Sequence, residues 1–190
     1  MITNHDRSGW FGASDTSIIM GNWNTKTFCK WWAVKVGAIK NDYTNATMRA
    51  GTFWEHKISD ALDRKGIKDR QVKIRRWRLR VNLDFETKTT VYEIKTYSGK
   101  FKTLKAYWQQ CQVQMFVTGK HANLVYYHLN TEERENFFTR VDRSKIEFHP
   151  VEYDKNWIEA EYLPRLKYLS KCLKGKVFPT MEGYYEKSRE

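Results

Sequence analysis

The sequence predicts an α/β fold in which a central mixed sheet is flanked by helices. Three observations carry that expectation: apolar residues recur at helical spacing on both sides of a middle stretch, that stretch from Gln71 to Lys95 changes to a period of two, and glycines punctuate the helical segments. A chain of 190 residues, 41% hydrophobic and 15% aromatic, is long enough to bury a core without disulfides or a structural metal. Residues 1–185 are expected to form one domain and residues 186–190 a charged tail.

Taken in order, Ser14 caps a turn running through Ile18 and Ile19 to Gly21. A second helix starts near Thr25 or Thr27, carries Phe28, Trp31 and Trp32, and stops at Gly37. A third covers roughly Asn45 to Arg64, with Trp54, Ile58 and Leu62 on one stripe, Glu55 beside it and Gly66 beyond its end. In the period-two stretch Trp77, Leu79, Val81, Leu83 and Phe85 alternate with Arg78, Arg80, Asn82, Asp84 and Glu86, giving an apolar and a polar face. Val91 to Lys95 follows a short turn at about Thr87 to Thr89, which makes an antiparallel hairpin with Glu93 and Lys95 on one face.

A helix from about Lys102 to Thr118 comes next, striped by Leu104, Trp108, Cys111 and Met115 and ended by Gly119, with Lys105, Gln109 and Gln112 beside the stripe. Strands are expected at Asn123 to Leu129, Phe137 to Val141 and Ile146 to Tyr153, the last interrupted or ended by His149-Pro150. A final helix starts near Asp154, shows the stripe Ile158, Tyr162, Leu166, Leu169 and Leu173, kinks at Pro164 and ends at Gly175.

With 34 Lys and Arg against 22 Asp and Glu, the net charge is +12, and a surface that basic attracts polyanions. Nucleic acid is the first candidate partner; a basic protein with no polyanion partner is the other reading that charge permits. Cys29, Cys111 and Cys172 lie far apart with no CxxC pair, which argues against a disulfide framework, a zinc site or a four-cysteine iron–sulfur cluster and fits a reducing cytosol. The first ten residues lack the apolar stretch of a secretory signal, and no segment is long enough to cross a bilayer, so the expected location is cytoplasmic, away from any membrane.

The polar face of the hairpin carries the chemistry. Cleaving a phosphodiester requires an attacking water held in line and positive charge to offset the transferring phosphate, which divalent cations held by carboxylates supply. Mg²⁺ or Mn²⁺ takes a few protein oxygens plus water and substrate, so Asp84, Glu93 and Glu55 converging on one point would suffice. Across the hairpin Asp84 and Glu93 come within side-chain reach, and Lys95 can position or help deprotonate the nucleophilic water. An E-x-K triplet alone recurs in strands that do no chemistry; Asp84, nine residues before Glu93 in the same hairpin, brings the two readings level.

The flanking residues add an ordered set. Arg7 precedes Gly12-Ala13-Ser14-Asp15, then come Phe28 to Gly37, Arg49-Ala50-Gly51-Thr52-Phe53-Trp54-Glu55, Asn82-Leu83-Asp84, Glu93-Ile94-Lys95 and the glutamine-rich Tyr107 to Met115. Over residues 7 to 128 this order resembles the phage lambda-type exonuclease family (viral recombinase or alkaline exonucleases) of the PD-(D/E)xK superfamily, with Leu83 where the family pattern has proline. The resemblance implies a restriction-endonuclease-like core in which Asp84 and Glu93 bind Mg²⁺ with the Ile94 carbonyl, Glu55 holds a second metal or its water, and Lys95 orients the nucleophile. It also implies that Gln112 stands near the active centre and that Arg7 with Ser14 grips a terminal 5′-phosphate. For Gln112 a solvated helix face is the competing reading; for Arg7 and Ser14 it is a surface cation and a helix cap.

Arg78 and Arg80, in the basic run from Lys73, and Lys105 are further candidate DNA contacts, set against a solvated face. The crowded aromatics Trp10, Phe11, Trp23, Trp31 and Trp32 suit core packing more than base stacking, and His56 beside Glu55 is expected to point elsewhere on its helix. The expectation is therefore a Mg²⁺-dependent 5′-to-3′ exonuclease acting on double-stranded ends, with a single-strand-annealing protein and a ring of identical copies as partners. A structure-specific or nicking endonuclease with the same site, or an inactive DNA-binding module, is the alternative.

Overall fold

A computed structural model describes residues 7–40, 46–100 and 104–187. Five strands form one mixed sheet whose spatial order is the sequence order: β1 (Ile67–Ile74), β2 (Leu79–Glu86), β3 (Thr90–Tyr97), β4 (His121–His128) and β5 (Ile146–Val151). Neighbours are antiparallel except β3 and β4. A parallel pair needs a crossover, since a tight turn cannot return the chain to the same end. Among the described residues seven α-helices pack around the sheet: α1 (Thr16–Ile19), α2 (Lys26–Lys35), α3 (Ala46–Ala61), α4 (Lys105–Thr118), α5 (Thr131–Glu135), α6 (Leu163–Gly175) and α7 (Met181–Lys187). Helix α4 lies within the β3–β4 crossover.

Successive residues of β4 explain the layers. Leu124 and Tyr126 enter one buried cluster with α1, α2, α4 and α6 residues, whereas Val125 and Tyr127 enter another with Trp54, Ile58 and Leu62 from the α3 segment. Alternation along a strand means opposite faces, so helices cover both sides of the sheet, as the sequence predicts. Trp54 is fully buried, and its indole N–H donates to the Glu133 carbonyl at 3.1 Å, fixing the rotation of α3 and hence the direction of its neighbour Glu55. The Thr25 hydroxyl accepts the Phe28 N–H at 3.1 Å to start α2, and Gly119, left-handed at φ +67°, ends α4.

Four local expectations are corrected. Arg75–Trp77 is a 3₁₀ turn closed by left-handed Arg78 (φ +53°), so Trp77 leaves the strand and β1 and β2 form a hairpin that the alternation concealed. Residues 137–141 make no strand: the Asn136 side chain accepts the Phe138 N–H at 3.0 Å, and Lys57 takes the carbonyls of Phe137, at 2.9 Å, and Thr139. Strand β5 continues through His149-Pro150, because an edge strand can leave the proline's missing N–H on its open side. A π-helical stretch, Trp157–Tyr162, precedes α6, and Pro164 falls in the first turn of α6 and not at a mid-helix kink.

Gly66 has a different use from ending a helix. It sits where a Cβ would be 2.3 Å from the Glu86 carbonyl oxygen, so the chain entering β1 can pass β2 this closely only without a side chain. Helix α7 continues through Glu186 and Lys187, which the sequence assigned to the tail. The helix starts expected at Asn45 and Lys102, and tail residues 188–190, lie outside the described residues.

Candidate active site

The pairing of β2 with β3 covers Glu86–Val91 and Phe85–Tyr92 and stops there. One step further, Asp84 and Glu93 stand on strands that have begun to part. The Ile94 N–H donates to the Asp84 carboxylate at 2.9 Å, a side-chain bond where the backbone ladder has ended. The parted strands open a cleft of about 350 Å³. Its walls include Glu55, Asp84, Glu93 and Lys95, and also Arg7, Ser14, Asp15, Lys35 and Arg80.

Glu93 is 1% exposed and densely bonded. Its Oε1 accepts from the Lys95 ammonium and, at 2.6 Å, from the Gln110 amide; its Oε2 accepts from the Gln114 amide. A carboxylate offers about four lone-pair directions, so one on Oε2 is left for a further partner. Burial, with the charges of Glu93 and Glu55, pushes the Asp84 carboxyl well above its ordinary range. Burial also raises Glu55; Lys95 opposes that rise, and Glu93 and Asp69 add to it. For Lys95 burial works against the charge, but Glu93 and Asp84 outweigh it and hold the amine above its usual value, so it stays an ammonium.

Carboxylate oxygens are hard donors, the type that Mg²⁺ or Mn²⁺ takes. Among the described residues no three His, Cys, Asp or Glu side chains close into a preformed metal cage. Zinc usually takes such a closed set, whereas Mg²⁺ needs one or two carboxylates and draws its other oxygens from water and substrate.

The raised Asp84 carboxyl has a measurable cost. A carboxyl whose folded-state pKa lies above its unfolded one favours folding when protonated; the advantage is lost as the pH rises from the ordinary carboxylate range through the raised value. Each unit of displacement is worth about 1.4 kcal/mol. In EDTA at pH 7, Asp84→Asn, which can still accept the Ile94 N–H, is therefore expected to unfold at a higher temperature than the unmodified chain. The gap should narrow as the pH falls towards 4.

A second charge group shares the cleft. Asp15 Oδ2 accepts from the Lys35 ammonium and the Gly12 N–H, each at 2.6 Å, and Oδ1 accepts the Trp31 indole N–H at 2.8 Å. Both members are buried, and the charges of Arg7 and Arg80 are felt at Lys35, so three cations crowd one acid. Burial would raise Asp15, but Lys35, Trp31 and Gly12 outweigh it and hold its carboxyl below the usual range. Burial lowers Lys35 despite Asp15. The Gly12–Ser14 wall is pinned by this pair.

The structure thus brings together Arg7, Ser14, Glu55, Arg80, Asp84, Glu93 and Lys95, and places Ile94 between two of them. Gln112 is a correction: it is buried away from the cleft, its amide donating to the Glu152 carbonyl at 2.6 Å and its oxygen accepting the Asp154 N–H at 2.8 Å, so it ties α4 to the segment after β5. Gln110 and Gln114, one helical turn apart, meet Glu93 instead. Arg78 caps the β1–β2 turn and Lys105 begins α4; neither lines the cleft. His56, expected to point elsewhere, does line it, as do Asp69 and Trp10, while Trp23 and Trp32 are core. The Asp15–Lys35 pair had a faint sequence signal, a lysine among the apolar residues of α2.

No family model matches the sequence, and no curated protein matches it. Solved structures do. An alkaline exonuclease from Laribacter hongkongensis superposes with a TM-score of 0.61 over 90% of this chain and 94% of that one, at 19% identity. A phage-related exonuclease from Haemophilus somnus 129PT gives 0.60 over 88% and 96%, at 14% identity. Identities this low speak for shape, and the shape extends over nearly all of each molecule: the chain has the fold of these two exonucleases.

Proposed function

We propose that the chain is a metal-dependent deoxyribonuclease, a phage-type 5′-to-3′ exonuclease that resects double-stranded ends for single-strand annealing. The observation that carries this reading is one cleft holding two opposite charge groups. Asp84 and Glu93, with Glu55 beside them, would hold Mg²⁺, for which Mn²⁺ can substitute; the Ile94 carbonyl belongs to the same proposal. A bound divalent cation supplies Lewis-acid charge to the phosphate under attack. Lys95, an ammonium bonded to Glu93, orients the incoming water and offsets charge. Gln110 and Gln114 fix the Glu93 carboxylate from α4. Arg7, Lys35 and Arg80 draw a phosphate towards Ser14, and Trp10 offers a ring on the same wall. The two exonucleases of the same fold support the choice of substrate.

The reading extends to a strand-annealing partner and to a ring of copies that encloses the duplex, which sedimentation and co-elution would reveal. No helix among the described residues is long and apolar enough to cross a membrane, and the three unpaired cysteines suit the cytosol of a bacterium or an infected host. Digesting a linear duplex labelled at either 5′ end, beside closed circular plasmid, with Mg²⁺ and with EDTA, tests the proposal. The expected outcome is Mg²⁺-dependent loss of the linear DNA alone, starting from the 5′ end. Cutting of the circle would instead favour a structure-specific or nicking endonuclease, and no cleavage with Mg²⁺ or Mn²⁺ would leave a DNA-binding module.

A further inference from the structure

Helix α6 carries a row of charge that the cleft does not use. Lys167, Lys171 and Lys174 stand at i, i+4 and i+7, so they share one exposed side of the helix beside its buried Leu166, Leu169 and Leu173. Residues 163–176 contain no acid. Neither do residues 73–80, which place Arg75, Arg76 and Arg78 in the β1–β2 turn.

The fold joins these two segments into one surface. The Ser170 hydroxyl donates to the Trp77 carbonyl, and the Lys174 ammonium donates to the Arg76 carbonyl at 3.4 Å. Arg76 and Lys167 both approach the Trp77 ring, at 4.0 Å and 5.8 Å from its centroid, while Phe116 stacks on it at 5.7 Å. The turn is therefore seated on α6 with its arginines beside the lysine row. Among the described residues no carboxylate forms an ion pair with any of these six cations. Like charges held together repel one another; a bound polyanion offsets that repulsion and releases its own counterions.

Two observations choose the polyanion. Among the described residues no exposed large hydrophobic falls within 73–80 or 163–176, so the surface lacks the apolar anchors of a protein interface. The Trp77 ring is already packed by Phe116 and Arg76, so it is not free to stack on an unpaired base. What the surface does offer, clustered guanidinium and ammonium groups, contacts phosphates whatever the base sequence. It is also continuous with the cleft. Arg80 and Trp10 line the cleft, and Lys73 pairs with Arg80 across the hairpin, reaches over the Trp10 ring at 5.8 Å and stands two residues before the turn.

Resting on the reading of the cleft as a nuclease site, we propose that α6 and the β1–β2 turn form a second DNA surface, outside the cleft, that holds the phosphate backbone of the duplex beyond the end being cut.

The combined variant Lys167→Gln, Lys171→Gln and Lys174→Gln tests this. Its charge-matched control is Lys65→Gln, Lys88→Gln and Lys155→Gln, drawn from exposed lysines outside both segments. All six side chains are exposed, so both triple variants are expected to melt close to the unmodified chain. Binding of a blunt duplex is measured by fluorescence anisotropy in EDTA across a salt series. The α6 variant is expected to bind about 10- to 100-fold more weakly at about 0.1 M salt, with the slope of log affinity against log salt flattened by about 2 to 3, since each phosphate contact contributes roughly 0.9. The control should lose much less and keep its slope. Equal losses in the two variants would overturn the proposal and leave net charge as the cause. Tighter binding of single-stranded than of duplex DNA by the unmodified chain, lost in the α6 variant, would overturn the duplex assignment. Cleavage with Mg²⁺ is read separately: an unmodified chain that binds duplex through α6 yet never cuts it keeps the surface and loses the nuclease reading.

Discussion

Replacing Lys95 by alanine is expected to slow Mg²⁺-dependent cleavage of linear duplex DNA by about 10²- to 10⁴-fold, the usual contribution of a positioned proton-handling group. Lys95 is bonded to Glu93 and held charged by Glu93 and Asp84 against the cost of burial. Its removal takes the positive charge from among the acids and, on the proposed reading, would leave the attacking water without its donor. Lys95→Arg should recover little, because a planar guanidinium cannot occupy the site of a compact ammonium that is only 20% exposed. Initial rates at saturating DNA check this, with binding measured in EDTA as the companion. Unchanged binding with lost turnover places Lys95 in the chemistry. Turnover within a few-fold of the unmodified chain would remove it, and the acids would then have to orient water unaided.

Much of this site was legible because it lies on regular elements. Glu93 and Lys95 share a face through the period of two, and Glu55 follows from the stripe of Trp54, Ile58 and Leu62. Rotation of a helix that carries four glutamines was not legible. Gln109, Gln110, Gln112 and Gln114 are chemically alike, and at about 100° per residue Gln112 lies about 200° round from Gln110, so only packing decides which row meets Glu93. Local interruptions were hidden for the opposite reason. Trp77 and Leu79 keep a two-residue spacing through the turn at Arg78, and Lys57 satisfies carbonyls at residues 137 and 139 that the expected strand would have used. Charge pairs between distant segments, such as Asp15 with Lys35, leave almost no local trace.

That pair supports the largest expected effect on stability. Removing one member of a buried ion pair strands the other's charge and costs about 3–5 kcal/mol, roughly 6–20 °C in midpoint for a chain of this size. Lys35→Met should fall in that range at pH 7. Asp15 would then keep only the Gly12 and Trp31 donors. The sign of the pH dependence follows from the depressed Asp15 carboxyl: its contribution is present above the ordinary carboxylate range and is lost as the pH falls through its folded value. Without Lys35 that carboxyl protonates more readily, so the deficit of Lys35→Met should shrink between pH 7 and about pH 4. Combining it with Asp15→Leu should restore much of the loss, since a buried pair replaced by apolar side chains is often neutral. Urea unfolding of the two single variants and the double variant measures all three terms. A double variant that recovers stability but cuts linear DNA poorly would show that the pair is kept for the wall it pins, Gly12 to Ser14, and for the cations it gathers there. One that recovers both would make the pair a fold element alone, with Arg7 and Arg80 left to meet the phosphate.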